Sequence, residues 1–169
     1  MDLMDLVAGA GGGDSLAKLA GNLGIGGGDM SKLVAAVGPA LTRSLKKQTA
    51  DPGGLAGLQS ALKSGNHQQY IDDPASMLSD ATRNDGNNIL GHLLGSKDVS
   101  RNVAAHAAET AGLDAGMIKK ALPMLASLAM GAMSKKDVAK DPGLLGSLID
   151  SDGDGVGLDD VLGLAKKFF

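Results

Sequence analysis

Residues 114–133 read DAGMIKKALPMLASLAMGAM, and their apolar side chains recur at the three- and four-residue spacing of an α-helix. Asp114 stands just before this run and is a residue type that commonly caps a helix N-terminus. The run contains one proline, Pro123, which bends a helix because its ring replaces a backbone N–H. The stretch therefore predicts a long helix that starts after Asp114 and bends near Pro123.

A second apolar run of the same kind starts at Asp29, which we expect to cap it. It also contains an interior proline, Pro39, at the place that matches Pro123 in the later run. A shorter helical pattern precedes each long run and ends at a glycine, Gly24 in the first case and Gly112 in the second. The recurrence of proline and glycine at matching places indicates that the chain repeats one helical arrangement.

The dipeptide Asp-Pro marks three further helix starts, at residues 51–52, 73–74 and 141–142. Aspartate is a good N-cap, and proline suits the first helical position because an N–H there would be unpaired in any case. We expect a short amphipathic helix after each dipeptide. Together with the longer runs, these signals predict that residues 15–80 and 98–165 are two copies of one helical unit.

The fold class follows from periodicity and composition. No stretch alternates apolar and polar residues regularly enough to predict a β-strand. With one Tyr, two Phe and no Trp, the core must be filled by Leu, Ala, Val and the eight Met. Since 169 residues is about the length of one domain, we expect residues 1–169 to form a single all-α domain of two similar halves. Segments 11–14, 26–29 and 83–88 are predicted to be loops.

Composition also argues against several functions. The net charge is −3, and the basic residues are scattered without aromatic residues between them, so we expect no nucleic-acid partner. The absence of cysteine excludes disulfides, zinc thiolates and a thiol nucleophile. We expect no transmembrane helix, and the first ten residues carry acids where a secretory signal would carry Lys or Arg. A cytoplasmic location is the default expectation, and export without a cleaved signal stays open.

Acidic residues alternate with small ones near the C-terminus, where residues 150–155 read DSDGDG and residues 159–160 are both Asp. Alternating carboxylates with a glycine at the sixth position are typical of the first half of a calcium loop, because calcium takes six to eight oxygen ligands. We predict a calcium site in the loop 150–160. Its predicted ligands are Asp150, Asp152, Asp154, the carbonyl group of Val156, and Asp159 or Asp160.

The loop departs from a complete EF-hand. The twelfth position, which usually supplies a bidentate Glu, is Val161, and this loss should weaken calcium binding. In the predicted repeat, the counterpart of the acidic cluster is residues 63–68, which contain no carboxylate. The cluster is thus an addition to the fold. The alternative interpretation is a turn in which Asp and Gly satisfy local backbone groups and the acids are solvated.

The three histidines share no metal-ligand spacing. His106 and Glu109 lie one turn apart on the same predicted helix face, which is more typical of a surface contact than of an acid–base pair. Methionine recurs through the long C-terminal helix, where core filling is the simplest interpretation and an exposed face for a protein partner is the alternative. The methionines concerned are Met117, Met124, Met130 and Met133.

Residues 88–95 read NILGHLLG, and the helical patterns of residues 98–133 with their LPML segment follow them. This region resembles the bacterial YidB-like family of uncharacterised proteins. Members of that family are all-helical, often carry an Asn-x-x-Gly-His-x-x-Gly segment and often end in an Asp-Gly-Asp-Gly tail like residues 152–155. The resemblance covers most of residues 15–169. It implies a helical fold and a bacterial origin but no activity, and it assigns His92 only a capping or packing role.

Two classes of function remain. We expect a non-enzymatic helical module, structural or protein-binding, whose C-terminal loop is ordered by calcium and whose partner is another protein or a second copy of the chain. The alternative is an enzyme with a site near His92 or His106. An enzyme should have a concave pocket in which one of these histidines meets an acid, whereas an interaction module should have an exposed apolar patch or a self-complementary surface.

Overall fold

A computed structural model describes residues 3–149 of the chain, without the side chains of Pro142 and Ile149. These residues form nine α-helices and one short 3₁₀ helix, and no β-strand occurs among them. The predicted all-α fold class is confirmed. The helices are α1 Leu3–Gly9, α2 Gly13–Leu23, α3 Gly27–Ala50, α4 Pro52–Ser64, α5 Gln69–Asp72, the 3₁₀ helix Pro74–Leu78, α6 Asp80–Leu94, α7 Lys97–Ala111, α8 Ala115–Lys135 and α9 Pro142–Ile149.

Side-chain caps confirm three of the predicted helix starts. The carboxylates of Asp51 and Asp114 each accept a hydrogen bond from the backbone N–H three residues later, at 2.9 and 3.0 Å. Asp141 accepts the corresponding bond at 3.1 Å. Gly24 and Gly112 end α2 and α7 with φ values of 69° and 66°, a conformation that glycine adopts without a Cβ clash. Both helix ends agree with the prediction.

The start of α3 differs from the prediction. The helix begins at Gly27 with Gly26 as its N-cap, and Asp29 provides no side-chain cap. Asp29 instead lies in the first turn, where its charge interacts favourably with the helix dipole, and its carboxylate is 3.5 Å from the Lys32 ammonium. The loops predicted at 11–14 and 26–29 are correspondingly shorter, because α2 begins at Gly13 and α3 at Gly27.

The predictions for residues 73–88 are partly wrong. The helix that follows Asp73 is a 3₁₀ helix of five residues that ends at Leu78. The next residue, Ser79, caps α6 by accepting the Thr82 N–H at 3.1 Å. Segment 83–88, which is predicted to be a loop, lies inside α6. Its Asn, Asp and Gly residues are weak helix formers, and burial of Gly86 and Ile89 overrides that local preference.

The central element of the core is α8. Every residue from 121 to 133 is buried, and helices α1 to α7 all pack against α8. Such a surrounded helix is apolar on all sides, unlike an amphipathic surface helix. Met124, Met130 and Met133 are buried, so their predicted role as core filling is confirmed, and Met117 is half-buried.

Residues 3–9 form a helix that the sequence pattern does not predict. Leu3 and Val7 of α1 are fully buried, and the Leu3 N–H donates a hydrogen bond to Thr42 Oγ1 on α3 at 3.1 Å. A single cluster of buried side chains extends from Leu3 to Leu148, in agreement with a single domain. The repeat of residues 15–80 and 98–165 stays a prediction, since its second copy continues past residue 149.

The last described helix, α9, is anchored to the body of the protein. It packs against α3, and its Leu145 and Leu148 are buried together with Val138 of the preceding turn. The described chain therefore reaches residue 149 beside the core. None of the helices in residues 3–149 has the combination of length and hydrophobicity that a membrane span needs.

Candidate functional site

The predicted calcium ligands lie outside the described residues. Their geometry is therefore not tested, and the calcium site stays a prediction. The residues concerned are Asp150, Asp152, Asp154, Val156, Asp159 and Asp160. Within residues 3–149, no group of three or more His, Asp or Glu side chains is arranged to hold a metal ion.

A groove of about 450 Å³ lies between α4 and α6 and is lined by hydroxyl, carboxylate, amide and imidazole groups. Its volume is within the usual range for small-molecule sites. Small residues form much of the α4 wall, and polar residues form much of the α6 wall. The groove is lined by Gly57, Ser60 and Ser64 on one side and by Asp85, Asn88 and His92 on the other.

His92 and His106, the two histidines considered for an enzyme site, are both exposed. His106 lies on α7 with the exposed Glu109 one turn away, as expected for a surface pair. His92 shares the α4–α6 groove with Asp85. The two residues are seven positions apart on α6, which corresponds to roughly 10 Å along the helix axis. They can therefore contact two ends of one ligand but cannot hydrogen-bond to each other.

The third histidine, His67, is buried at the groove, with 5 % of its surface exposed. Its ring atom Nε2 lies 2.9 Å from the carbonyl oxygen of Ala61. Since a carbonyl only accepts, Nε2 must carry the proton and donate it. In the neutral ring, Nδ1 then has a free lone pair. Nδ1 is buried without a hydrogen-bond partner in the described structure, and it lies 3.6 Å from Asp85 Oδ2.

Tyr70 completes this polar cluster, which we call the His67–Tyr70–Asp85 cluster: His67 and Tyr70 are buried, and the Asp85 side chain is 38 % exposed. The Tyr70 hydroxyl donates a hydrogen bond to Asp85 Oδ2, and the Tyr70 and His67 rings are 6.1 Å apart between centroids. Burial, and after it the hydrogen bond to Asp85 and that residue's negative charge, raise the pKa of Tyr70 well above its ordinary value. Tyr70 therefore stays a neutral donor to the Asp85 carboxylate at all physiological pH values.

The cluster joins three separate parts of the chain. His67 bonds to the backbone of α4, Tyr70 belongs to α5, and Asp85 belongs to α6. The sequence analysis did not identify it, because Asp85 falls in a segment that the pattern assigns to a loop. The one available signal was local: a histidine and the only tyrosine of the chain lie three residues apart.

Alkaline titration is expected to show the raised pKa of Tyr70 directly. The chain contains one Tyr and no Trp, so phenolate absorbance reports this residue alone. The folded-state pKa lies above the unfolded value near 10.0. The stability that Tyr70 contributes is therefore complete below pH 10 and is lost as the pH rises further. We expect phenolate to form well above pH 10 and together with the loss of helical circular dichroism.

Two variants control this titration. Asp85→Asn removes the negative charge but keeps an oxygen that accepts from the hydroxyl, so phenolate should form at lower pH than in the parent protein. Tyr70→Phe should give no phenolate signal at all. A midpoint near pH 10 in the still-folded parent protein would contradict the burial of this hydroxyl group against Asp85.

Comparison with known proteins defines the family. Residues 5–136 match the family described as bacterial protein of unknown function, DUF937. The matched segment begins in α1 and ends just after α8, so it contains the groove and the His67–Tyr70–Asp85 cluster and leaves out α9 and the predicted calcium loop. No curated protein and no solved structure matches the chain. Because the match covers most of its length, the chain belongs to DUF937, a bacterial family of unknown function.

Proposed function

We propose that this protein is a non-enzymatic helical interaction module whose C-terminal loop, residues 150–160, binds calcium. The observation that carries the proposal is the position of α9. This helix runs to Ile149, directly before Asp150, the first predicted ligand. Calcium loops of the EF-hand type directly follow a helix in the same way.

Because α9 is packed into the core, a calcium ion bound in the following loop would stabilise the core as well as the loop. Leu145 and Leu148 are buried, and α9 packs against α3, which in turn contacts α1, α6 and α7. A calcium ion at the start of the loop would therefore restrain the end of a helix that is part of the core. Since the ion binds only the folded arrangement of ligands, it would stabilise the folded state by mass action.

The described surface indicates what kind of partner contact the module would make. Within residues 3–149, Leu78 is the one large apolar side chain that is exposed, so this part of the chain does not present the apolar patch expected of an interaction module. A protein partner or a second copy would thus meet mainly polar and small residues on this part of the molecule. The α4–α6 groove, with its wall of Gly57, Ser60 and Ser64, is a surface of that kind.

The polar cluster supports a structural role for its residues. His67 Nε2 is bonded to the α4 backbone, and the Tyr70 hydroxyl is bonded to Asp85, so these groups already hold helices together. One observation favours the alternative, an enzyme with a site near His92: this histidine shares a groove with Asp85. His106, the other histidine of that alternative, is exposed on α7.

Calcium is expected to raise the melting temperature of metal-stripped protein. At a concentration ten times the dissociation constant, the gain is about 1.4 kcal/mol, or on the order of 3–6 °C for a chain of this size. Replacing both Asp152 and Asp154 by alanine should abolish the rise and leave helicity largely unchanged. Differential scanning calorimetry with chelator or with millimolar calcium measures the effect.

A matched pair of substitutions separates ligand loss from charge loss. Asp80 and Asp98 are highly exposed, with side chains that are 95 % and 86 % accessible, and each faces an Arg three residues later. Asp80→Ala with Asp98→Ala changes the net charge by the same amount and should keep the calcium response. An identical melting curve with chelator and with calcium in the parent protein would rule the calcium proposal out.

A further inference from the structure

We propose that His67 and Asp85 form an open binding site for a divalent transition-metal ion such as Zn²⁺, at the groove between α4 and α6. The site is separate from the predicted calcium loop. Imidazole nitrogen suits Zn²⁺, whereas calcium takes oxygen ligands only.

The hydrogen bond of His67 prepares its other nitrogen for a metal. Nε2–H donates to the Ala61 carbonyl at 2.9 Å, so the lone pair is on Nδ1, which has no partner in the described structure. Histidines that bind metals almost always donate their second ring N–H to a carboxylate, a backbone carbonyl or water. A buried acceptor without a partner costs free energy, and a bound cation would remove that cost.

The distance between the two acceptors distinguishes a metal from a direct hydrogen bond. His67 Nδ1 and Asp85 Oδ2 are 3.6 Å apart, which exceeds the range of about 2.7–3.2 Å for a hydrogen bond. With a zinc ion about 2.1 Å from each atom, the Nδ1–Zn–Oδ2 angle would be roughly 120°, close to the tetrahedral value that zinc prefers. With a bridging ammonium nitrogen about 2.9 Å from each atom, the angle at that nitrogen would be only about 80°. This angle is narrower than the angle between two N–H bonds, so both hydrogen bonds would be bent.

The surroundings of Asp85 also fit a metal ligand. Carboxylates that bind metals are themselves hydrogen-bonded, and the Tyr70 hydroxyl donates to Asp85 Oδ2. His67 Nδ1 and Asp85 Oδ2 lie 3.6 Å apart, so a cation between them would be close to both acceptors.

Two protein ligands make an open site rather than a closed structural one. The remaining positions would be taken by water, by the Asn88 amide oxygen one turn from Asp85, or by a ligand in the groove, which has room for one. This arrangement agrees with the lack of any three-residue metal cluster in the described chain. We therefore expect weaker binding than at closed sites with three or four protein ligands.

Zinc titration of the full chain, followed by NMR of the histidine ring protons, tests the proposal. Asp152→Ala and Asp154→Ala are introduced first, so that the C-terminal acids do not bind the added metal. The chain has three histidines, which single substitutions assign. We expect the His67 signals to shift in a saturable way, with one ion per chain, and the melting temperature to rise over the same zinc range.

Variants of the cluster give graded effects. His67→Gln and Asp85→Asn should each remove the saturable binding. Tyr70→Phe keeps both ligands and should weaken zinc binding about tenfold to a hundredfold, the usual effect of losing an outer-shell partner. His106→Gln is the matched control, because His106 is exposed on α7 and does not line the groove, and it should leave zinc affinity unchanged.

Three results would overturn the proposal. Zinc could shift only the His92 and His106 signals, which would indicate surface binding. Zinc affinity could be unchanged in both His67→Gln and Asp85→Asn, of which the second keeps the acceptor for Tyr70 and so guards against a folding defect. The His67 signals could also stay unchanged at saturating zinc, which would show that no metal joins this ring to Asp85.

Discussion

Replacing Leu125 by alanine is expected to lower the free energy of unfolding by about 2–5 kcal/mol, the usual cost of deleting a buried leucine side chain. Leu125 is fully buried in the middle of α8, the helix that α1 to α7 all contact. The cavity would therefore lie between several helices that cannot all close around it. Urea unfolding followed by circular dichroism measures the change as a lower midpoint at unchanged slope.

Leu78→Ala is the matched control. Leu78 has the same side chain but is 39 % exposed on the 3₁₀ helix, so its loss should lower stability by only about 1 kcal/mol. If Leu125→Ala and Leu78→Ala lowered the free energy of unfolding by similar amounts, α8 would not be the centre of the core. The comparison isolates burial, because both variants lose the same atoms.

Gly86→Ala is expected to cost about 1–3 kcal/mol, the usual range for an overpacked core. A Cβ at residue 86 would lie 2.3 Å from the Pro123 carbonyl oxygen and 2.8 Å from Ser127 Oγ. The carbonyl belongs to the backbone of α8 and cannot rotate away, so α6 would have to move off its most extensive helix contact. Thermal unfolding followed by circular dichroism measures the loss.

Gly91→Ala in the same helix should have the opposite sign. Gly91 is exposed, and no described atom lies within 4 Å of the position its Cβ would take. Alanine there should stabilise the protein by about 0.5–1 kcal/mol, because it restricts the unfolded chain and favours the helix. If both substitutions stabilised the protein, α6 and α8 could not be in the close contact described above.

The helix starts that sequence analysis predicted correctly are those with a local chemical cause. Asp51, Asp114 and Asp141 each cap a helix through a backbone N–H two or three residues later, so the whole interaction lies within one turn. The ends at Gly24 and Gly112 depend on the backbone conformation of a single residue. Such features need no information about the rest of the fold.

The helical segments that sequence analysis missed depend on contacts between distant parts of the chain. Segment 83–88 is helical because Gly86 and Ile89 are buried in the core, although its composition is typical of a loop. Helix α1 spans seven residues, too few for a convincing period, and its burial against α8 and α3 makes it part of the core. In both places, packing between helices decides the local conformation, because it contributes more free energy than intrinsic helix propensity does.

The two candidate metal sites also differ in whether a local sequence pattern can predict them. The calcium loop is predicted from sequence because all its predicted ligands lie within residues 150–160, where spacing along the backbone sets which oxygens can meet. His67 and Asp85 are separated by three helix starts, and no local pattern indicates that His67 Nδ1 and Asp85 Oδ2 lie 3.6 Å apart.

The all-α class and most of the helix starts were thus contained in the sequence alone, since periodicity and capping act between residues within about one turn of each other. The approach of Gly86 to Pro123, the burial of α1 and the His67–Tyr70–Asp85 cluster were decided only by the tertiary structure. These contacts join residues far apart in the chain. Their geometry depends on how all the helices share one core, and not on any single segment.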